Sequence, residues 1–197
     1  QVMEQVENIE VRDFDEAVRS GDVTICTAEI DELYRAAVVE HCSAPRPSLN
    51  GQVSRGLKVI YSPLHGVGGF VVPAVLQACQ FDNVVVFPDH AEPDPNFTNV
   101  PNHVSNPENS AVFDSIIQYA QQESADIVLA TDPDADRMGC AAPVNFSGES
   151  AWKTFNGNQL CAMLAAYRMQ SLQDQNQLNA TNFQVTTLVT TPLLRRI

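Results

Sequence analysis

The sequence predicts an α/β fold, a three-layer α/β/α domain with a mostly parallel sheet of about four strands. Short apolar runs rich in β-branched residues alternate with stretches in which apolar residues recur at helical spacing. Turn residues, chiefly Gly, Pro, Asn and Asp, separate the two kinds of segment. Strands that alternate with helices are typical of βαβ units, because neighbouring parallel strands need a long crossover between them.

Residues 1–56 are predicted to be linker helices that lead into the domain. An amphipathic pattern covers residues 1–20 with a break near Asn8–Asp13, and Thr27–His41 predicts a second helix. The apolar residues of this second helix share one stripe: Ile30, Leu33, Tyr34, Ala37 and Val38. Two surface helices that cap the following sheet would produce the same pattern. Residues 43–56, rich in Pro and Gly, predict a connector.

The domain is predicted to span residues 57–190. Residues 191–197 are predicted to begin a connection to a following domain, with a helix that starts at Pro192. Leu57–Tyr61 predicts the first strand, which a Gly-rich turn and a helix over residues 70–79 follow. Asn83–Phe87 predicts the second strand, and a right-handed crossover joins the two. Residues 88–107 predict an irregular loop over the carboxyl ends of the strands. Glu92 and Asp94 are expected to be solvated charges of this loop, with a position near the ligand site as the alternative.

Further elements follow in the same manner. A helix capped by Asn109 or Ser110 leads to a strand over Asp126–Ala130, and Met138–Val144 predicts a short strand that returns along the sheet edge. The residues of this helix predicted to face inward are Val112, Phe113, Ile116, Ile117, Tyr119 and Ala120. The next predicted elements are a hairpin partner at Trp152–Phe155, a helix capped by Asn156 or Asn158 with a core stripe of Leu160, Met163, Leu164 and Tyr167, and a last strand at Gln184–Thr190.

Composition excludes several classes of protein. The 197-residue chain carries a formal charge of −13, which argues against binding to nucleic acid or to anionic membranes, since both need a basic surface. No apolar run is long enough to span a membrane, and no secretory leader is visible. The five cysteines form no CxxC pair and predict reduced, mostly buried thiols in a cytoplasmic protein.

Three carboxylates at alternating positions follow the strand predicted to end at Ala130. If Asp132, Asp134 and Asp136 converge, they offer the hard oxygen ligands that Mg²⁺ prefers. Without a cation the same charges would repel one another. Arg137 follows directly, and its planar guanidinium suits a phosphate held beside a metal.

Two other kinds of acidic loop fit this sequence less well. An EF-hand requires Gly at loop position 6 and Glu at position 12, where this sequence has Arg137 and Pro143. A haloacid-dehalogenase-type phosphatase would need a small hydroxyl-bearing or apolar residue where Asp136 stands. A solvated acidic turn after a strand remains an alternative, because Asp is common in turns.

The turn after the first predicted strand carries His65, Gly66 and Gly68. A strand, a Gly-rich turn and a helix N-terminus together form an anion-friendly site, because unpaired amides point outward. A dinucleotide fingerprint would require a third glycine at residue 71, which is Val71. His65 is a candidate catalytic residue that orients groups at the site or contacts a phosphate; a hydrogen-bonded loop histidine is the alternative.

Several segments of the sequence together resemble one enzyme superfamily. They are Val59–Gly68, Glu92–Phe97, Asn106–Glu108, Thr131–Arg137 and Phe155–Leu160. Their combination is similar to the second, metal-binding domain of the α-D-phosphohexomutase superfamily, which contains phosphoglucomutases and phosphomannomutases. The Pro-Asp-Ala-Asp-Arg and Phe-x-Gly-Asn-x-Leu forms most resemble the branch with phosphoglucomutase-2 and phosphopentomutase-like enzymes.

The resemblance implies a function for the acidic loop. In that superfamily three aspartates bind Mg²⁺ together with a phosphorylated serine, which exchanges a phosphoryl group with a sugar phosphate through a sugar bisphosphate. Asp132, Asp134 and Asp136 are then the metal ligands, and Arg137 contacts phosphate. The implied partners are the sugar phosphate, the bisphosphate and other domains of the same polypeptide.

The sequence departs from the superfamily in what it lacks. It has no Thr-x-Ser-His-Asn-Pro serine loop, no sugar-recognition loop of a third domain and no Ser-Gly-Thr phosphate loop of a fourth. We therefore expect the metal domain of a longer mutase, inactive alone. A stand-alone Mg²⁺- or phosphate-binding module and a Mg²⁺-dependent sugar phosphatase remain the alternatives.

Overall fold

One five-stranded sheet organises the computed structural model, which describes residues 11–42, 56–145 and 151–197. The strands are β1 (Val59–Ser62), β2 (Val84–Val86), β3 (Ile127–Thr131), β4 (Met138–Pro143) and β5 (Trp152–Phe155). The α-helices are α1 (Phe14–Ser20), α2 (Ala28–His41), α3 (Gly68–Ala78), α4 (Phe113–Gln122) and α5 (Gly157–Asp174). Short 3-10 turns occupy Pro88–His90, Pro101–His103, Ser110–Val112 and Pro192–Arg195.

The strand order across the sheet is β2-β1-β3-β4-β5. Strand β1 pairs in parallel with β2 and β3, whereas β4 is antiparallel to both β3 and β5. The predicted α/β class is thus confirmed, with one strand more than expected and a mixed sheet. The antiparallel return follows from chain length, because residues 132–137 are too few for the crossover that a parallel neighbour would need.

The connections between the strands indicate where a ligand of this sheet would bind. The crossover through α3 leads from β1 to β2, and the crossover through α4 leads back past β1 to β3. Right-handed crossovers in these two directions place α3 and α4 on opposite faces, which gives three layers. The chain leaves β1 toward β2 and leaves β3 toward β4, so the strand order reverses between β1 and β3. Ligands of open α/β sheets bind beside such a reversal, outside the carboxyl ends of the strands.

The hydrophobic core includes β1, which is buried along its whole length. Of the inward residues predicted for the helix before β3, Val112, Phe113, Ile116 and Ala120 are buried there. Ile117 and Tyr119 are partly buried and pack against the same core. Asn109 caps this segment through its side-chain oxygen, which accepts from the amide of Ala111. Hydrophobic periodicity therefore located this part of the core correctly.

The last predicted strand is wrong. Gln184–Thr190 forms no strand, and the apolar side chains at Val185, Leu188 and Val189 are exposed. β-branched residues favour a strand only where a neighbouring strand accepts their backbone hydrogen bonds. No strand of the described residues pairs with this segment. The helix predicted to start at Pro192 is a short 3-10 turn.

Two apolar stripes are exposed although the helices that carry them form as predicted. In α5 Leu160 is buried, but Met163, Leu164 and Tyr167 are exposed, so the predicted core stripe is wrong. Helix α2 contains no buried residue. Periodicity shows that residues share a face of a helix, but it cannot show that anything covers that face.

Other expectations have mixed outcomes. The five cysteines were expected to be mostly buried, which is wrong, because Cys140 alone is buried. Helix α1 begins at Phe14 with Asp13 as its N-cap, while the pattern at residues 1–10 and the connector at 43–55 lie outside the described residues. No helix in the described ranges combines the length and apolar character needed to cross a membrane. The domain limits at residues 57 and 190 stay a prediction.

We expect Phe113→Ala to lower the free energy of unfolding by about 3–5 kcal/mol, because it opens a cavity in the core. Phe113 is 1% exposed, whereas Phe183 is 88% exposed and offers the same substitution at the surface. Chemical denaturation measures both variants. Equal losses from Phe113→Ala and Phe183→Ala would contradict the core described above.

Candidate functional site

The loop between β3 and β4 gathers three carboxylates at the carboxyl end of β3. The carbonyl oxygen of Asp132 accepts from the amide of Ala135 at 3.0 Å, and the amide of Asp132 donates to the carbonyl of Arg137 at 3.3 Å. Ala135 adopts a positive φ of 60°, which tightens the turn. One carboxylate oxygen each from Asp132, Asp134 and Asp136 lies within 4.8 Å of the others.

The three aspartates differ in environment. The side chain of Asp132 is 1% exposed and that of Asp136 is 72% exposed. Burial opposes ionisation of Asp132, but hydrogen bonds from Arg137 outweigh it and hold the pKa of Asp132 below its usual range. The charges of Asp134 and then Asp132, together with a little burial, raise the pKa of Asp136. The cluster thus carries crowded negative charge that a cation would relieve.

Arg137 lies against the most buried of these carboxylates. Its Nε donates to Oδ2 of Asp132 at 2.7 Å, and its backbone amide donates to Oδ1 at 2.9 Å. Asp136 is a longer ion-pair partner at 3.6 Å. The hydrogen bond to Asp132 and its charge raise the pKa of Arg137. The side chain remains 51% exposed, so it can also reach a ligand in solvent.

The Gly-rich turn after β1 packs directly on the loop over residues 132–137, the predicted metal loop. The amide of Val67 donates to the carbonyl of Pro133 at 2.9 Å. A Cβ on Gly66 would lie 2.3 Å from Cα of Pro133, so only glycine fits there. A Cβ on Gly68 would lie 2.4 Å from the hydroxyl oxygen of Tyr61. The structure therefore brings both predicted glycines to the predicted metal loop.

His65 is buried in the same turn with a positive φ of 65°. Its Nδ1 lies 2.7 Å from the carbonyl oxygen of Glu92. Because a carbonyl only accepts, Nδ1 carries the hydrogen. Its Nε2 is buried and has no hydrogen-bond partner among the residues that the structure describes. Buried polar atoms in proteins are almost always paired, so this atom is suited to a group that is not part of the chain.

Sequence reasoning missed a second histidine beside the first. His90 is fully buried, and its ring centroid lies 5.2 Å from that of His65. Its Nε2 lies 3.1 Å from the carbonyl oxygen of Asn99 and its Nδ1 lies 2.9 Å from the hydroxyl of Ser62. Nε2 must donate to the carbonyl, so a neutral His90 accepts from Ser62. This histidine ties the loop over residues 88–103 to the end of β1.

Sequence reasoning also missed a hydrogen bond between β1 and β3 at the start of the predicted metal loop. The hydroxyls of Tyr61 in β1 and Thr131 in β3 are 2.8 Å apart, and Thr131 directly precedes the first ligand candidate. Burial raises the pKa of Tyr61 although the bond to Thr131 lowers it somewhat. The two residues are 70 positions apart, so no local pattern could have paired them.

The acidic, proline-bearing loop contributes structure. Asp94 accepts hydrogen bonds from the amides of Thr98 and Asn96, both at 2.9 Å. Hydrogen bonds from Thr98, then from Asn96, lower the pKa of Asp94 to about 2. Asp94 is therefore a half-buried charge that fixes the local turn, whereas Glu92 has the exposed position that the sequence predicts. Glu92 reaches the site through its backbone carbonyl on His65.

These features define the class of the protein: an α/β/α domain with a candidate metal centre and a Gly-rich turn at the reversal of its strand order. Comparison with known families then places it more closely. The family model described as phosphoglucomutase/phosphomannomutase, alpha/beta/alpha domain II, matches residues 34–145. The chain belongs to the phosphoglucomutase/phosphomannomutase family and contains its second domain, as the sequence resemblance predicted.

Individual relatives agree with this assignment. A phosphoglucomutase of Staphylococcus saprophyticus is 31% identical over 96% of this chain, which covers 32% of that protein. A phosphoglucomutase of Staphylococcus aureus strain bovine RF122 / ET3-1 is 39% identical over 58% of this chain and 20% of its own length. The chain thus spans about a third or less of these relatives.

The fold has solved neighbours. A phosphoglucomutase/phosphomannomutase family protein from Burkholderia thailandensis aligns with a TM-score of 0.51 over 74% of this chain and 26% of its own. The sequence identity is 21%, so this likeness supports the fold alone. The closer branch of the superfamily suggested by the sequence stays a prediction.

We expect Gly66→Ala to displace Pro133 and to weaken Mg²⁺ binding, because its Cβ cannot occupy the space held by the Pro133 backbone. Overpacking of this kind costs about 1–3 kcal/mol of stability. Denaturation and calorimetric titration with Mg²⁺ measure the two effects. Gly56→Ala is the control, since no atom of the described residues lies within 4 Å of a Cβ there. A Gly66→Ala protein that matches this control would refute the close contact.

We expect acid to destabilise the fold through His90. Burial, reinforced by the charge of His65, lowers the pKa of His90, although the Asn99 carbonyl partly opposes this. Below a pH of about 6.5, His90 is protonated in the unfolded chain but stays neutral in the folded protein. The free energy of unfolding therefore falls as the pH falls. His90→Gln removes this contribution, so its stability declines less from pH 7 to pH 5. Denaturation at several pH values measures the slope, and His41→Gln on the surface of α2 should keep the original one.

Proposed function

We propose that the full-length protein is an intramolecular phosphotransferase of the phosphoglucomutase/phosphomannomutase type, an isomerase. It would interconvert a sugar 1-phosphate and a sugar 6-phosphate or 5-phosphate, through a phosphoserine and a sugar bisphosphate. This chain would supply the metal-binding domain. The observation that carries the proposal is the convergence of Asp132, Asp134 and Asp136 at the carboxyl end of β3, in a domain that belongs to this family.

The donor set fits Mg²⁺. Three carboxylate oxygens within 4.8 Å of one another are hard ligands, and their crowding already raises the pKa of Asp136. Asp132 would be the buried anchor, and Asp134 and Asp136 would supply ligands from the exposed side. Bound Mg²⁺ would stabilise negative charge that develops on the transferred phosphoryl group.

Residues of the chain would hold the phosphorylated groups around this centre. Arg137 holds Asp132 through Nε, and the rest of its guanidinium fork is suited to two phosphate oxygens. Nδ1 of His65 is fixed as a donor by the Glu92 carbonyl, which leaves Nε2 to accept from a substrate hydroxyl or, once protonated, to donate to a phosphate. Gly66 and Gly68 allow the turn to lie close to the loop.

Several expectations complete the proposal. The serine that would carry the phosphoryl group is supplied from outside this chain, so we expect the isolated chain to be inactive. The partners would be the sugar phosphate, the bisphosphate and other domains of the same polypeptide, in the cytoplasm. The relatives named above are called phosphoglucomutases, which makes glucose phosphate the first substrate to test. Mannose and pentose phosphates follow.

The experiment is a coupled mutase assay on the full-length gene product and on this chain, with Mg²⁺ and a trace of the matching sugar bisphosphate. Glucose 1-phosphate, mannose 1-phosphate and ribose 1-phosphate are the substrates. We expect Asp134→Asn to lower kcat/KM on the order of 100-fold and to weaken Mg²⁺ binding in calorimetry, because it removes one charged ligand. Asp82→Asn, the same change in an exposed loop residue, should leave both unchanged.

Other results would assign a different function. Release of inorganic phosphate from the same substrates without isomerisation, and without need for the bisphosphate, would indicate a sugar phosphatase. Mg²⁺ binding with neither reaction in the full-length protein would indicate a binding module. Isomerisation by the isolated chain would refute the expectation that its nucleophile lies elsewhere.

A further inference from the structure

Two thiols lie in contact at the end of α3 that is remote from the metal loop. Cys42 is the C-cap residue of α2 and Cys79 is the C-cap residue of α3. Their Sγ atoms are 3.3 Å apart although the residues are 37 positions apart in the chain. A disulfide holds its sulfurs at about 2.0 Å, so an approach of about 1.3 Å would close the bond.

Both thiols are accessible to a reagent in solvent. Cys42 is exposed and Cys79 is half-buried. Cys140 is different, because burial raises the pKa of its thiol to about 11 and keeps it protonated and inert. Accessibility and proximity to a second thiol are the two features that favour disulfide formation over slower oxidation.

Cys42 and Cys79 join two helices, α2 and α3, that share little buried apolar surface. Helix α2 buries none of its residues and packs on α3. The helix therefore depends on few fully buried apolar contacts, and local opening of such an element costs little free energy. A covalent bond at its C-terminal end would restrict that opening.

We propose that Cys42 and Cys79 are a dithiol modification site, which a low-molecular-weight disulfide such as oxidised glutathione converts to an intramolecular disulfide that fastens α2 to α3. The thiolate of one cysteine attacks the oxidant and releases one reduced thiol. The second cysteine attacks the resulting mixed disulfide and releases the other thiol. Two electrons and two protons pass from the pair to the oxidant, and a dithiol reductant reverses both steps.

The modification acts at a distance from the metal centre. Helix α3 has 11 residues and begins at Gly68 beside the metal loop, so its far end is about 16 Å away at 1.5 Å per residue. Oxidation therefore restricts α2 and leaves Mg²⁺ binding unchanged. Under reducing conditions both cysteines are thiols. Under oxidative stress they form the disulfide.

The experiment exposes the reduced full-length gene product to glutathione buffers of rising oxidised fraction, followed by acid quench, alkylation and peptide mass spectrometry. We expect the Cys42–Cys79 linked peptide to accumulate first and to vanish with dithiothreitol. Hydrogen exchange of the α2 amides should slow about tenfold on oxidation. Cys42→Ser should abolish the linked peptide and the slowing, whereas Cys26→Ser, the same change at another exposed cysteine, should preserve both.

Three results would overturn the proposal. The first is separate glutathione adducts on Cys42 and Cys79 with no link between them. The second is crosslinking that involves Cys26 or Cys161 as readily as this pair. The third is a linked protein whose α2 exchange equals that of the reduced protein. None of these depends on whether the protein is a mutase.

Discussion

The site depends on the close approach of two loops, the turn after β1 and the loop after β3. They meet where the amide of Val67 donates to the carbonyl of Pro133 and where Gly66 presents no side chain to the same residue. The parallel pairing of β1 with β3 delivers both loops to one edge of the sheet, and this contact then sets their separation. Without it the glycine turn, His65 and the aspartates would be independent features. With it they form one surface.

Much of the fold could be predicted because the relevant signals are local. Alternating apolar runs and turn residues locate β1, β2 and β3, and periodicity locates the buried face of α4. The wrong predictions concern whether another part of the chain packs on a strand or helix. Gln184–Thr190 has the composition of a strand but pairs with no strand in the described part of the chain, and the apolar stripe of α5 beyond Leu160 is exposed. A sequence pattern cannot state whether a second surface is present.

The candidate site divides in the same way. Three aspartates at alternating positions after a strand are visible in the sequence, because spacing alone predicts that they share one turn. The bond between Tyr61 and Thr131 and the bond between Ser62 and His90 are not visible, because each joins segments that meet only in the folded sheet. Arg137 was expected beside a phosphate, and the structure adds that it already holds a carboxylate.

That last contact has a thermodynamic consequence. Nε of Arg137 donates a hydrogen bond to Oδ2 of Asp132. A cation that coordinates this oxygen must therefore compete with the guanidinium for it. An anion that draws the guanidinium away frees the oxygen and raises the affinity for the cation. Linkage requires the reverse effect to be equal, so the cation raises the affinity for the anion by the same factor. One short side-chain bond would thus make the two ligands cooperative without any movement of the sheet.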